Sequence, residues 1–363
     1  MNQLARTREL IERGIATGLH TGAQVYTSIG ARPSGELAVG EARPGVPMTS
    51  DTLVLWLSSS KPVAAIAIMQ LVEHGRCKLD DPVDRHLPGF GANGKQAVTI
   101  RHLLTHTCGF RWVDLGGPET PWDEILKRIE AAPLEADWIP GQKAGYHPQT
   151  SWYVLGELVR RLDGRTYSDY VRREIFEPLG MNDCWIGMPR ADYERYGTRI
   201  APMPITERPG AGVNRWSTET GVLACSPGAN GHGPARELAR MYEMFLGHGT
   251  RDGVTLLSHA SAAAIVGRQR IGMFDETFRS VIDWGLGVLI NSAQYGKAPY
   301  GYGTLASADT YGHSGSQSSA AFADPKYRLA VAIVLNGMPG EAKHQVRMRP
   351  ILQALYEDLG LGV

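Results

Sequence analysis

Ser58 and Lys61 are the two residues of this sequence whose types and spacing most directly suggest chemistry. Residues three apart share one face of a helix, so the two side chains are expected to meet on its first turn. A serine hydroxyl is a weak nucleophile until a base takes its proton. A lysine can be that base when burial or a cationic neighbour lowers its pKa from about 10.4 towards neutrality. The pattern predicts a serine nucleophile beside a lysine base, although a serine-rich helix cap followed by an exposed lysine has the same spacing.

Short motifs follow this pair in a definite order along the chain. In chain order they are Leu71-Val72-Glu73-His74-Gly75, Leu79-Asp80-Asp81-Pro82-Val83, Ile100-Arg101-His102-Leu103-Leu104-Thr105-His106-Thr107-Cys108-Gly109, Pro140-Gly141, Tyr146, Tyr153-Val154-Leu155-Gly156, Phe176-Glu177-Pro178-Leu179-Gly180-Met181, Asn230-Gly231, Gly312-His313-Ser314-Gly315 and Phe322-Ala323-Asp324-Pro325. Each motif is weak alone, but as a set they resemble the serine β-lactamase-like superfamily. That superfamily includes class C β-lactamases, family VIII carboxylesterases, D-aminopeptidases and related transacylases. The resemblance covers most of the chain and is weak over residues 188–213 and 268–283.

The resemblance implies roles for specific residues. Ser58 matches the acylated nucleophile, Lys61 its partner in the same motif, and Tyr146 the tyrosine that shuttles the proton. A tyrosine with a pKa of about 10 needs nearby positive charge to act as a base near neutrality, and we expect Lys61 to supply it. The resemblance also places the oxyanion hole at the backbone N–H groups of Ser58 and Ser316. It implies no metal and no organic cofactor.

The third motif of the superfamily, Lys-Thr-Gly in β-lactamases, aligns with His313, Ser314 and Gly315, which are therefore expected to bind substrate. His313 replaces a lysine that recognises the carboxylate of a β-lactam, and an imidazole is mostly neutral near pH 7. Pro148 replaces an asparagine that contacts the acyl-side amide, and proline has no side-chain donor. Both changes argue against an efficient β-lactamase and agree with an ester substrate. His147 is a further candidate for substrate binding, with a structural role as the alternative.

Three other patterns resemble functional motifs but lack the context that those motifs require. The glycines of residues 89–94 match a dinucleotide-binding pattern, yet no strand precedes them and no helix follows. His102 and His106 have the spacing of a zinc pair, but the glutamate and the third ligand are missing. The stretch 224–228 is a degenerate hydrolase elbow in which Pro227 and Gly228 oppose the helix that must follow. We therefore predict no nucleotide, metal or elbow site.

Strand-like runs near both ends of the chain enclose a helical and turn-rich middle. This order predicts an α+β fold in which one antiparallel sheet forms from both termini, with flanking helices and an inserted helical subdomain. We expect a single catalytic domain over residues 1–363, with a sheet subdomain at 1–57 and 234–363 and a helix-and-loop subdomain at 58–233. Residues 188–213 have no clear period and are expected to be a long ordered loop or a lid. The predicted elements are an N-terminal amphipathic helix, a hairpin over 22–29 and 35–40, a buried helix from Ser58, helices at 151–162, 167–175, 234–246 and 346–359, and strands at 284–290, 318–323 and 329–335.

The overall composition limits the classes of partner. The 37 basic and 37 acidic residues balance, which argues against nucleic-acid or anionic-membrane binding. The longest apolar stretch, residues 62–72, is too short to span a bilayer, and the charged N-terminus does not read as a secretory signal. The four cysteines form no Cys-x-x-Cys pair. We therefore expect a cytoplasmic enzyme with reduced thiols, and the sequence leaves its oligomeric state open.

Together these features predict a serine acyl-transfer enzyme that forms an acyl-enzyme on Ser58. Hydrolysis of a small-molecule carboxylic ester is the first expectation. A biosynthetic transacylase that passes the acyl group to an amine or alcohol acceptor is the close alternative. D-amino peptidase or amidase activity, weak β-lactamase activity and a catalytically inert binding protein are the further alternatives.

Overall fold

The computed structural model describes residues 4–208, 210–296 and 300–362. The helices are α1 (Ala5–Ala16), α2 (Lys61–Glu73), α3 (Ile100–Leu104), α4 (Trp122–Ala131), α5 (Thr150–Asp163), α6 (Tyr167–Val171), α7 (Arg190–Tyr196), α8 (Glu219–Leu223), α9 (Ala235–Leu246), α10 (His259–Val266) and α11 (Glu341–Asp358). The strands are β1 (Gly22–Ile29), β2 (Arg32–Arg43), β3 (Val46–Pro47), β4 (Val54–Leu57), β5 (Gly231–Gly233), β6 (Thr250–Arg251), β7 (Val254–Thr255), β8 (Phe274–Asp275), β9 (Ser280–Val281), β10 (Leu289–Ile290), β11 (Tyr311–Gly315), β12 (Ser319–Asp324) and β13 (Leu329–Asn336).

The predicted α+β fold with a sheet built from both termini is confirmed. Seven of the described strands form one antiparallel sheet in the order β10-β11-β12-β13-β1-β2-β3. At its centre β1 pairs with β13 over the full length of both strands, so residues near the two ends of the chain lie side by side. The predicted hairpin is the pair β1–β2, whose second strand already begins at Arg32.

Strand β13 is buried along its whole length because helices cover both faces of the sheet. Side chains alternate between the two faces of a strand, which assigns its residues to two different hydrophobic clusters. One set packs with residues of α1 and α11, and the other set packs with residues of α9. The first set is Leu329, Val331, Ile333 and Leu335, and the second is Ala330, Ala332 and Val334.

Helix α2 is the central helix of the molecule and carries the Ser58–Lys61 motif at its start. Its residues Lys61 to Leu71 are all buried, as the apolar run on every face predicted. Ser58–Ser60 form a single 3-10 turn between β4 and α2, and Pro62 lies at the helix start, where its missing N–H costs nothing. Helix α5 packs along α2, so the motif is held between the sheet and the helices.

Three sequence-based predictions about elements need correction. The strand predicted at 284–290 is confined to β10, because Gly287 adopts a φ of +73° and donates its N–H to Leu104 O instead. The last helix begins at Glu341, five residues before the predicted start. Residues 188–213 are not one irregular loop, since they include α7 and a turn that hydrogen-bonds to Leu53 at the edge of β4.

The division into two subdomains stays a prediction. Strand β4 ends at the predicted boundary at residue 57 and belongs to the predicted sheet subdomain. It pairs with β5, which lies just before the predicted boundary at residue 234 and belongs to the predicted helix-and-loop subdomain, so hydrogen bonds join the two.

In the described part of the chain, no helix combines the length and apolar character that a membrane span needs.

Candidate active site

The turn that presents Ser58 begins with a strained residue. Leu57 has a φ of +51°, a region that residues with a side chain rarely adopt, and such strain is found mostly at functional sites. Ser60 secures the turn, since its hydroxyl donates to Leu57 O at 2.6 Å and accepts from Gly231 N at 2.9 Å. Ser58 itself stays half-buried at the surface of a cavity. The local structure therefore aims the Ser58 hydroxyl outward from an otherwise buried turn.

Lys61 is fully buried directly beneath Ser58. Its Nζ lies 2.9 Å from Ser58 Oγ, 2.9 Å from Pro148 O and 2.7 Å from Gly228 O. Burial lowers the pKa of Lys61 well below its ordinary value. A neutral amine has two N–H donors and one lone pair. The two carbonyl oxygens accept from both donors, which leaves the lone pair for the proton of the Ser58 hydroxyl.

Tyr146 is the second side chain that contacts the Ser58 hydroxyl. Its hydroxyl donates to Ser58 Oγ at 2.8 Å, and its ring centroid lies 5.2 Å from Lys61 Nζ. We predicted that Lys61 would lower the pKa of Tyr146, and this is wrong. Burial raises the pKa of Tyr146, the hydrogen bond to Ser58 opposes that rise, and the charge of Asp275 adds to it. Burial therefore favours the neutral form of both partners of Ser58.

The three side chains open on a cavity of about 270 Å³. Ser58 and Ser316, whose N–H groups are the predicted oxyanion hole, both line it. Gln317, next to Ser316, has a φ of +52°, so strained residues adjoin both predicted donors. The oxyanion role of the two N–H groups stays a prediction, and the structure places both residues at the same cavity.

His313, Ser314 and Gly315 lie on β11 at this cavity, and the first two line it. His313 Nδ1 lies 2.9 Å from Ser314 O, and burial is the main cause that lowers the pKa of His313 to about 3. The imidazole is therefore uncharged at neutral pH. A β-lactam carboxylate would find no positive charge on this side chain, which agrees with the interpretation of the lysine replacement.

His147 lies behind the cavity and does not contribute to its described lining. Its ring is completely buried, and Nε2 accepts hydrogen bonds from Gly109 N at 3.1 Å and Phe110 N at 3.3 Å. Burial lowers the pKa of His147 to about 3, which keeps Nε2 available as an acceptor. We predicted substrate contact for His147, but its placement indicates the alternative, in which it holds the 108–110 segment behind Tyr146.

Sequence reasoning missed one wall of the cavity. Thr277 and Phe278 line it, and both come from residues 268–283, where the resemblance is weak. Phe278 stacks on Tyr146 with ring centroids 4.7 Å apart. No local period marks this stretch, so the sequence held no signal for it. The remaining lining residues that were not predicted are Trp284, Leu289 and Tyr300.

Residues 188–213, which were predicted as a loop or lid, contribute no described residue to the lining of this cavity. Met188, Tyr196 and Ile200 instead pack in a separate hydrophobic cluster with Leu53 and Val222. This cluster supports the outer edge of β4.

The described residues contain no cluster of three or more metal-ligating side chains. His102 and His106, which have the spacing of a zinc pair, accept hydrogen bonds from backbone N–H groups within the fold. His102 Nδ1 accepts from Thr99 N, and His106 Nδ1 accepts from His147 N. These contacts agree with the structural interpretation of both histidines.

Comparisons of the sequence and of the fold with known proteins indicate the same family. The sequence model of the Beta-lactamase family matches residues 7–356. Esterase EstB of Burkholderia gladioli is 30% identical over 338 residues, which cover 82% of this chain and 81% of the esterase. A penicillin-binding protein homologue from Caulobacter crescentus superimposes with a TM-score of 0.79 at 32% identity, covering 98% of this chain and 97% of the homologue. A family VIII carboxylesterase does so with a TM-score of 0.79 at 26% identity, with the same coverage of both chains.

Proposed function

This chain belongs to the β-lactamase family and is a serine hydrolase or acyltransferase, and we propose that it hydrolyses uncharged small-molecule carboxylic esters through an acyl-enzyme on Ser58. The observation that carries the proposal is the position of Ser58 Oγ, 2.9 Å from Lys61 Nζ and 2.8 Å from the Tyr146 hydroxyl, at the surface of a cavity. Similarity to a curated esterase and to a family VIII carboxylesterase supports the choice of an ester.

In the acylation step, Lys61 takes the proton of the Ser58 hydroxyl while Oγ attacks the ester carbonyl carbon. The lowered pKa of Lys61 makes the neutral amine available for this transfer. The negative charge that develops on the carbonyl oxygen would be stabilised by the N–H groups of Ser58 and Ser316. When the tetrahedral intermediate collapses, Tyr146 gives its proton to the leaving alcohol and regains one from the Lys61 ammonium.

Deacylation repeats these steps with water as the nucleophile. Water adds to the acyl carbonyl, its proton passes to the Tyr146–Lys61 pair, and Ser58 leaves with a proton returned from that pair. The carboxylic acid is released and the resting state is restored. No residue outside Ser58, Lys61 and Tyr146 has to change its protonation state.

The uncharged character of the cavity supports an ester in preference to a β-lactam. His313 is neutral because of its burial, and Pro148 offers Lys61 a carbonyl but has no amide to offer a substrate. A substrate carboxylate would lose its hydration in this cavity without gaining a charged partner among the described lining side chains.

Acyl transfer to an alcohol or amine is the second candidate, and a neighbouring cavity favours it. A cavity of about 520 Å³ shares Tyr300 and Ser314 with the Ser58 cavity, and residues of α11 such as Met348 and Pro350 also line it. An acceptor held there would reach the acyl-enzyme from a bound position and so compete with bulk water. Residues 188–213, the predicted lid, contribute no described residue to this cavity either.

The test compares initial rates on neutral p-nitrophenyl esters, on the same esters carrying a carboxylate, and on a chromogenic cephalosporin. We expect turnover of the neutral esters, much slower turnover of the anionic substrates, and no turnover by Ser58→Ala. Addition of primary alcohols or amines then separates the two candidates. A saturable rise in acyl transfer indicates an acceptor site, whereas transfer that stays low and linear in acceptor concentration indicates a hydrolase.

A further inference from the structure

Asp275 and Arg270 form a completely buried ion pair next to the candidate active site. Arg270 Nη2 lies 3.0 Å from Asp275 Oδ2, and both side chains are at most 1% exposed. Arg270 also donates to Thr105 O at 3.1 Å and to Ile282 O at 3.1 Å. Removing two charges from water is costly, so a pair in this position needs a compensating role or very good hydrogen bonding.

The other carboxylate oxygen of Asp275 holds three backbone N–H groups together. Oδ1 accepts from Tyr146 N, Thr277 N and Phe278 N, each at 3.0 Å. Thr277 strengthens the same junction, because its hydroxyl donates to Tyr146 O at 2.9 Å. One carboxylate therefore connects the backbone of Tyr146 to the two residues of the 268–283 stretch that line the cavity.

Burial is the main cause that raises the pKa of the Tyr146 hydroxyl, and the charge of Asp275 adds to it. Both effects favour the protonated form, which can donate to Ser58. The titratable groups facing Tyr146 are Lys61, His106, Tyr300, His313 and Asp275. Those facing Asp275 are Arg270, Tyr146 and His147.

We propose that Asp275, anchored by Arg270, is a positioning residue that fixes Tyr146 against Ser58 and builds the Thr277–Phe278 wall of the cavity. This inference rests on the proposed function of Ser58 and Tyr146. It assigns a catalytic consequence to a stretch in which the motif resemblance is weak. A purely structural ion pair would instead affect stability and leave the chemistry of Tyr146 unchanged.

The stretch itself offers a matched control. Asp283 is also completely buried, pairs with an arginine (Arg268, 3.1 Å) and accepts a backbone N–H (Gly272, 2.8 Å), but none of its hydrogen bonds reaches Tyr146. Asp275→Asn and Asp283→Asn therefore remove the same charge from similar surroundings. Arg270→Lys keeps the carboxylate and a positive charge but loses the forked contacts.

The experiment measures fluorophosphonate labelling of Ser58, kcat and KM for a p-nitrophenyl ester, and the pH profile of kcat/KM. For Asp275→Asn we expect labelling and kcat to fall by about 100-fold, the cost typical of a misplaced catalytic group, with little change in KM. The alkaline limb of its profile should move to lower pH, because loss of the negative charge eases ionisation of Tyr146. Asp283→Asn should keep the kcat and the alkaline limb of the wild type.

If Asp275→Asn does not fold, Arg270→Lys tests the positioning role of Asp275 instead. It should lower kcat without moving the alkaline limb to lower pH, because the carboxylate is still present. A folded Asp275→Asn with the kcat and alkaline limb of the wild type would overturn the proposal, as would an Arg270→Lys enzyme of unchanged kcat. Failure of the wild type to be labelled at Ser58 would instead overturn the proposed function.

Discussion

At the scale of single residues, the chemistry depends on keeping a buried lysine neutral. Lys61 Nζ contacts two carbonyl oxygens and one hydroxyl, and the described part of the chain gives it no carboxylate partner that would stabilise the ammonium form. Burial lowers its pKa, and the same burial raises the pKa of Tyr146. Burial thus favours a site of neutral amine, neutral serine and neutral phenol joined by hydrogen bonds, which is the state from which Lys61 can accept a proton.

Lys61→Arg tests this neutral state. A guanidinium stays protonated at every accessible pH, so the variant keeps a positive charge but loses the base. We expect kcat to fall by a factor of about 10³, in the range contributed by general-base catalysis, in steady-state ester hydrolysis. Substantial activity in a folded Lys61→Arg protein would contradict the role of a neutral amine.

The same argument predicts the pH dependence of the wild type. Acid converts Lys61 to the ammonium form, so kcat/KM should fall as the pH drops through the lowered pKa of Lys61. An unfolded lysine keeps its proton up to a higher pH than this buried lysine does. The contribution of Lys61 to the free energy of unfolding should therefore become more favourable as the pH rises from the pKa in the folded protein towards about 10.4, the pKa of an unfolded lysine. An activity that rises towards acid pH would oppose this account.

At the scale of elements, the Ser58 turn is tied directly to β11 and β12. Ser59 Oγ donates to His313 O at 3.0 Å and lies 2.9 Å from Ser319 Oγ, and Ser319 Oγ in turn lies 2.7 Å from Trp56 O. These contacts set the distance between Ser58 and Ser316, the two predicted oxyanion donors. Gly315 permits the close approach, since a Cβ there would lie 2.3 Å from Trp56 O.

Gly315→Ala should therefore push β11 away from the Ser58 turn. Overpacking of a close contact costs about 1–3 kcal/mol, and we expect a decrease of that size in the free energy of unfolding measured with denaturant. We expect kcat to fall as well, because the oxyanion donors separate. An alanine variant with the stability and activity of the wild type would show that this close approach is not required.

At this scale, what can be predicted from the sequence depends on how far apart in the chain the interacting residues are. The α2 motif, the β1–β2 hairpin and β13 are marked by local periodicity, and the structure contains all of them. The stretch 268–283 has no such period. Its contribution to the site depends on the hydrogen bond from Tyr146 N to Asp275 Oδ1, which joins residues 129 positions apart in the chain. No local pattern encodes a contact of that range, and so one wall of the cavity was not predicted.

At the scale of the whole molecule, the helices near the two ends of the chain, α1 and α11, contact each other. Helix α1 begins without a side-chain cap of its own, and the carboxylate of Asp358, the last residue of α11, accepts from Arg6 N at 3.2 Å and Thr7 N at 2.8 Å. The C-terminal helix thus caps the N-terminal one, above the paired strands β1 and β13. Helices α1 and α11 therefore stabilise the sheet that carries His313 and Ser314.

Asp358→Ala should lower the free energy of unfolding by about 1 kcal/mol, the usual value of a helix N-cap, and leave kcat unchanged. The neighbouring Glu357 makes an exposed ion pair with Arg6 and accepts an exposed hydrogen bond from Gln353 Nε2 at 3.0 Å, so Glu357→Ala is the control and should change stability by less than about 0.5 kcal/mol. Denaturant titration of the three proteins measures both effects. Equal losses in the two variants would contradict a capping role for Asp358.

The central claim is that Ser58 carries the acyl group, and intact-protein mass spectrometry tests it most directly. The wild type and Ser58→Ala are exposed briefly to a panel of p-nitrophenyl and methyl esters and quenched in acid. We expect one acyl adduct on the wild type, which decays with time and is absent from Ser58→Ala. An adduct of equal yield on Ser58→Ala, or ester turnover by that variant at the rate of the wild type, would contradict the account.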